Sequence, residues 1–218
     1  MPMLETAEIR WFFKNSAPAL VRDWFTEGRD LSVEERIDNY LVFAGCESVG
    51  VKLRDIESGR ESKFEVKAIR GAPEVLDLGG DVAGRTDSWV KWSYATSEFD
   101  HLPSVVNSET IWLPVQKRRV LRRFSLEQGS VLEAPVDDPA TAGCNVDLVD
   151  LQTVDGAWWT LGFESFGPAM DLRSQLHAVA ESWFDARPPP FPLRVTDSIA
   201  YASWVAALAQ ENQQRAAN

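Results

Sequence analysis

At 218 residues the chain suits one sizeable domain or two small ones, and a hydrophobic fraction of 44% supports a real core. A formal charge of −11 argues against non-specific nucleic-acid binding, because a phosphate backbone is repelled overall. No apolar run approaches the roughly 20 residues of a membrane span, and no charged start precedes an apolar run, so the expectation is a soluble cytoplasmic protein.

In chain order, Thr6 to Phe13 predicts a strand with Thr6, Glu8 and Arg10 on one face and Ile9 and Trp11 on the other. Ser16 reads as the N-cap of a helix with Pro18 in its first turn, ending near Glu27 with Gly28 as C-cap. A second strand covers Glu35 to Phe43, with Arg36, Asp38 and Tyr40 sharing a face. Gly50 to Ala68 predicts a hairpin in which Lys52 and Arg54 share one strand face, as do Glu65 and Lys67 on the other strand.

Asp77 to Asp87 reads as a loop, followed by a short strand around Trp89 to Tyr94. Within it, Gly79 to Thr86 has a Walker-A-like spacing with Arg85 where lysine belongs. A true phosphate loop follows a buried strand and opens a helix, which this stretch does not. Glu109 to Leu126 predicts a strand pair with Pro114 at an edge, bulge or turn. It carries Lys117, Arg118, Arg119, Arg122 and Arg123, a local positive run in an acidic chain. Gly129 to Gly143 reads as a loop. Cys144 to Thr153 and Ala157 to Gly167 predict a hairpin turned at Asp155-Gly156. Helices follow at Met170 to Phe184 and from Asp197 or Ser198 to Gln210, with a frayed tail from Glu211.

The order of a strand, a helix, many strands and then two helices predicts an α+β antiparallel sheet or barrel with helices outside it. Two cysteines, Cys46 and Cys144, are expected as reduced thiols, and two histidines leave little room for a histidine-based triad or metal centre. The charged strand faces admit two readings. They are a solvated sheet surface or the lining of a site for an anion. A third arrangement, a barrel for a lipid or other apolar ligand, requires the charges to face outward.

Thr6-x-Glu8-x-Arg10, Lys52-x-Arg54, Lys67, Lys117-x-Arg119, Asp147 and Glu164 follow one another in an order that resembles the CYTH domain, the triphosphate tunnel family. The resemblance covers about residues 5–167. It implies an eight-stranded antiparallel barrel whose interior is a tunnel, within one domain of 1–218 that ends in a helical segment at about 168–213. It also implies that Arg10, Lys52, Arg54, Lys67, Lys117 and Arg119 hold phosphates, and that Glu8, Asp147 and Glu164 hold Mg²⁺ or Mn²⁺. The activity implied is metal-dependent hydrolysis of inorganic triphosphate or a nucleoside triphosphate, with a small polyanion as partner and neither nucleic acid nor membrane. The family opens with Glu-x-Glu-x-Lys, whereas Thr6 and Arg10 stand here at the first and last of those positions. That departure supports the alternative of a non-catalytic binding module for a phosphorylated or polyanionic ligand.

Overall fold

A computed structural model describes residues 3–43, 45–54, 62–95, 111–127, 129–137, 141–168 and 172–216. The turn of the Gly50 to Ala68 hairpin, the start of the strand pair at Glu109 and the helix start at Met170 lie outside them.

The strands are β1 (Met3–Lys14), β2 (Val33–Leu41), β3 (Val49–Arg54), β4 (Lys63–Ile69), β5 (Glu74–Asp77), β6 (Ala83–Ala95), β7 (Trp112–Glu127), β8 (Ser130–Ala134), β9 (Gly143–Thr153) and β10 (Gly156–Phe166). Eight of them pair in the order β1-β10-β9-β7-β2-β3-β4-β6, and β6 returns to β1, which closes an antiparallel barrel. β5 extends the sheet on β6 and β8 extends it on β7. Closure leaves no free edge along the ring. It also gives every strand an inner and an outer face that alternate residue by residue.

On β1, Ala7, Ile9 and Trp11 point outward and Thr6, Glu8, Arg10 and Phe12 point inward, and all seven are buried. The outer face is covered by α1 (Ala19–Thr26) and α2 (Leu172–Ala186). Val21 and Phe25 of α1, and Leu176, Val179, Ala180 and Trp183 of α2, join Ile9, Trp11, Val146, Leu148, Leu161 and Phe163 in one apolar layer. The third described helix, α3 (Tyr201–Ala216), does something different. Its Trp204, Val205 and Leu208 pack on Phe12, Tyr40, Leu113, Val115, Val149 and Leu151, which are inward positions of the barrel. α3 therefore closes one end of the barrel with an apolar plug.

The strand register explains how α3 reaches that position. β6 pairs with β1 only from Met3 to Ile9. Past that point the edge of β1 is taken by the segment leading into α3, where Ser198 bridges Trp11 and the Ile199 N–H donates to the Arg10 carbonyl at 3.1 Å.

Several sequence expectations are corrected. The N-cap of α1 is Pro18, not Ser16, and the helix ends on Glu27 in the left-handed conformation. Residues 83–87 are strand rather than loop. Gly84 lies against Ile9 and Trp11, where an added Cβ would stand 2.7 Å from each side chain, so glycine there serves close packing and not a turn. Residues 112–127 form one strand rather than two. Pro114 precedes the stretch that pairs with β9, so its missing N–H interrupts no bond on that side. Residues 130–134 form the short strand β8 inside the expected loop. The last helix continues to Ala216, as its run of Ala, Gln, Glu and Arg favours. The β9–β10 hairpin forms where expected, but its turn residues are Val154 and Asp155, with Gly156 opening β10 at a φ of 128°; the buried stripe of α2 stands as expected. No described helix is long and apolar enough to cross a membrane.

Candidate anion-binding pocket

Above the plug the barrel encloses a cavity of about 230 Å³. Glu8, Arg10, Lys52, Arg54, Lys67, Lys117, Arg119, Asp147 and Glu164 all line it. They meet because each falls on the inward parity of its strand. Glu8 stands opposite Glu164 across β1 and β10, and Arg10 opposite Gly162. Gly162 in turn faces Asp147 on β9, and Lys52 faces Glu65 across the hairpin.

Three ion clusters organise the wall. The first centres on Asp38 of β2, which is 0% exposed. Its carboxylate receives Lys117 at 2.9 Å, Arg54 Nε at 3.0 Å, and Lys52 and Arg36 at 3.3 Å each. Burial alone raises a carboxyl pKa. Here Lys117, Lys52, Arg54 and Arg36 together outweigh it and hold Asp38 well below its usual value. Lys117 is sealed on the other side, where its ammonium donates to the Tyr40 hydroxyl at 2.6 Å and lies 4.0 Å from the Tyr201 ring centre. Burial pulls the pKa of Lys117 well below the ordinary lysine value despite Asp38.

The second cluster centres on Glu65, which pairs with Lys52 at 2.7 Å, Lys91 at 2.9 Å and Arg54 at 3.2 Å. Desolvation works against its ionisation, but Lys52, Lys91 and Arg54 keep its pKa far below normal. The third runs along β1. Glu8 takes Arg10 at 2.8 Å and Lys67 at 2.6 Å, Lys67 also reaches Glu164 at 3.0 Å, and Arg10 reaches Asp147 at 2.8 Å. Arg119 joins from β7, 4.0 Å from Asp147, and links to the first cluster through Glu34, 2.8 Å from Arg119 and 2.7 Å from Arg36.

Eight cationic side chains line the cavity against four carboxylates, and with Asp38 and Glu34, which pair with these cations from beyond the lining, the count is eight to six, so the site is positive inside a protein of formal charge −11. Lys52, Arg54, Lys67, Lys91 and Arg119 keep part of their surface exposed, whereas Arg10 and Lys117 are nearly sealed beside Tyr201. An anion entering away from α3 meets the first group before the second.

The sequence left Asp38, Glu65, Arg36 and Lys91 off the site. All four lie on predicted strand faces, so parity alone carries them once the sheet is known to close. Tyr201 comes from a helix, and no periodicity pointed to it. The carboxylates expected to hold metal each have a cationic partner from the chain itself. Among the described residues no group of three or more His, Cys, Asp or Glu side chains stands together as a metal cage. Thr6, inward and buried at the first position of the opening motif, offers no charge, and its hydroxyl has no hydrogen-bond partner among the described residues.

No family model and no curated protein sequence matches this chain. Among solved structures it is similar to a conserved hypothetical protein from Pyrococcus furiosus at 12% identity and a TM-score of 0.47, covering 91% of this chain and 98% of the other. It is similar to the PH1012 protein from Pyrococcus horikoshii OT3 at 14% identity and a TM-score of 0.45, covering 90% and 98%. It is also similar to the S. pombe Pct1 RNA triphosphatase, solved in complex with the Spt5 CTD, at 13% identity and a TM-score of 0.46, covering 87% of each chain. The chain forms the closed eight-stranded antiparallel barrel expected from the order of its charged strand positions, with those residues on its inner wall.

Proposed function

We propose that the barrel binds a small phosphorylated polyanion, inorganic triphosphate or the phosphate chain of a nucleoside triphosphate, and holds it without cleaving it. The observation that carries this reading is the surplus of cations around a cavity closed at one end. Lys52, Arg54, Lys67, Lys91 and Arg119 would take the phosphate oxygens. A guanidinium has five N–H donors and an ammonium three, so one head group can serve a carboxylate and a phosphate oxygen together. The internal carboxylates keep the cations compatible with one another while the pocket is empty, and they fix the head groups in place before an anion arrives. Such pre-organisation lowers the ordering cost of binding. The overall negative charge disfavours nucleic acid as the partner. Both cysteines are free thiols, which supports a place in the reducing cytoplasm.

Metal-dependent hydrolysis is the second reading. What favours it is the register that sets Glu8 against Glu164, with Asp147 on the next strand. It requires Glu8 and Asp147 to be released from Arg10, and Glu164 from Lys67.

Calorimetric titration of tripolyphosphate, with and without Mg²⁺, separates the two. Binding that does not depend on Mg²⁺, with no orthophosphate released on standing, is the expected result. Binding followed by Mg²⁺-dependent release would replace the binding module with the hydrolase. No heat at low salt in either condition would overturn both.

A further inference from the structure

The interior of β1 carries a cation where the strand register gathers carboxylates. The Arg10 guanidinium donates from Nε to Glu8 at 2.8 Å, and from Nη1 to Asp147 at 2.8 Å and to the Thr160 hydroxyl at 2.9 Å. Oxygens from three neighbouring strands thus surround one positive charge, the ligand chemistry a hard divalent cation takes. The space is shaped for the guanidinium. Gly162 lies directly opposite Arg10, and a Cβ built on it would overlap the guanidinium group. The Tyr201 ring of α3 covers the same group at 4.8 Å, and the side chain is 4% exposed. Lys67 occupies the remaining side, bridging Glu8 and Glu164.

We infer that Arg10, seated over Gly162 and under Tyr201, stands in for a divalent cation, so that the barrel takes up anions without metal. A planar guanidinium holds its carboxylates through N–H groups fixed in one fork, whereas an ammonium is a compact point charge on a flexible stem. Arg10, Lys67 on Glu8 and Glu164, and Arg119 4.0 Å from Asp147 together balance these three carboxylates, leaving no net charge with which to recruit an ion from solution. This goes further than the proposed binding function by assigning the carboxylates a structural cation. It is tested without any anion present, so its failure is distinct from failure of that reading.

The test is Mn²⁺ alone, titrated into the protein and followed by the loss of the free-ion paramagnetic resonance signal. Wild-type protein is expected to show no saturable binding below millimolar Mn²⁺. Arg10→Gln removes the charge, exposes Glu8 and Asp147 to each other, and is expected to bind Mn²⁺ at least tenfold more tightly than wild type. Should that variant fail to fold, Arg10→Lys keeps the charge on a shorter, single-point head group and is expected to move in the same direction. Saturable Mn²⁺ binding by the wild type that is lost in Glu164→Gln would overturn the inference. So would the absence of any gain in folded Arg10 variants.

Discussion

Asp38→Asn is expected to lower the free energy of unfolding by about 3–5 kcal/mol, the range for breaking one partner of a buried ion cluster. Asparagine preserves the shape, so the loss reads the charge rather than the packing. Four cations converge on this one carboxylate, and all four, Arg36, Lys52, Arg54 and Lys117, also line the cavity. Glu65 still offsets Lys52 and Arg54 in the variant, but among the described residues no other carboxylate is paired with Lys117.

The same group sets the acid sensitivity of the wild type. Asp38, Glu8, Glu65 and Glu164 all have pKa values lowered in the folded state. Their contribution is therefore complete above the unfolded values of about 3.9 for Asp and 4.3 for Glu, and is lost as pH falls below them toward the folded values. The wild type is expected to lose stability steeply below about pH 4, and Asp38→Asn to lose less over the same interval. Urea unfolding across pH 3–7 measures both effects. A loss under about 1 kcal/mol at pH 7 would show that the cations do not depend on Asp38. Because the change adds a net positive charge to the lining, tripolyphosphate affinity should hold or rise.

Arg54→Ala is expected to weaken tripolyphosphate binding by about 10- to 100-fold while leaving the protein folded. A hydrogen bond to a charged group contributes about 1.5–3 kcal/mol, which converts to that range. The fold survives because each carboxylate that Arg54 touches has other partners. Asp38 keeps Lys117, Lys52 and Arg36, and Glu65 keeps Lys52 and Lys91. Arg118→Ala is the matched control. Arg118 lies between Lys117 and Arg119 in sequence but on the opposite parity, exposed and 3.6 Å from Glu35. Its loss should change affinity less than twofold. Calorimetry on the two variants decides the matter. Equal affinities for Arg54→Ala and wild type would remove Arg54 from the site.

Much of this site was legible because a strand has a period of two. Thr6, Glu8 and Arg10 share parity in the sequence and share the barrel interior in the structure, as do Lys52 and Arg54, and Lys117 and Arg119. Parity does not say which face is inside, since an antiparallel sheet can leave its charged face in water. Closure of β6 on β1 decides it, through pairings 77 to 89 residues apart that no local pattern carries. Asp38 shows the same limit. Its face with Arg36 and Tyr40 was visible, but four cations from β2, β3 and β7 converge on it only after the barrel forms. The seat of Arg10 was invisible for another reason. A glycine within the Trp-Thr-Leu-Gly-Phe run of β10 has no signature of its own, and its meaning lies in the guanidinium opposite. Gly84 misled in the opposite direction, since in a Gly/Asp-rich stretch it reads as a turn and it is a packing position in β6. Tyr201 entered the pocket through a helix whose sequence reads as ordinary amphipathic packing.

The most direct test of the central claim is a crystal structure of the wild-type protein grown with tripolyphosphate and no divalent metal. The expected result is density for the anion inside the barrel, within hydrogen-bond distance of Arg54, Lys52 and Arg119, with Arg10 still paired to Glu8 and Asp147. An anion bound only on the outer surface, at Arg118 for instance, with the cavity unchanged, would contradict the account and return the inward cations to a purely structural role.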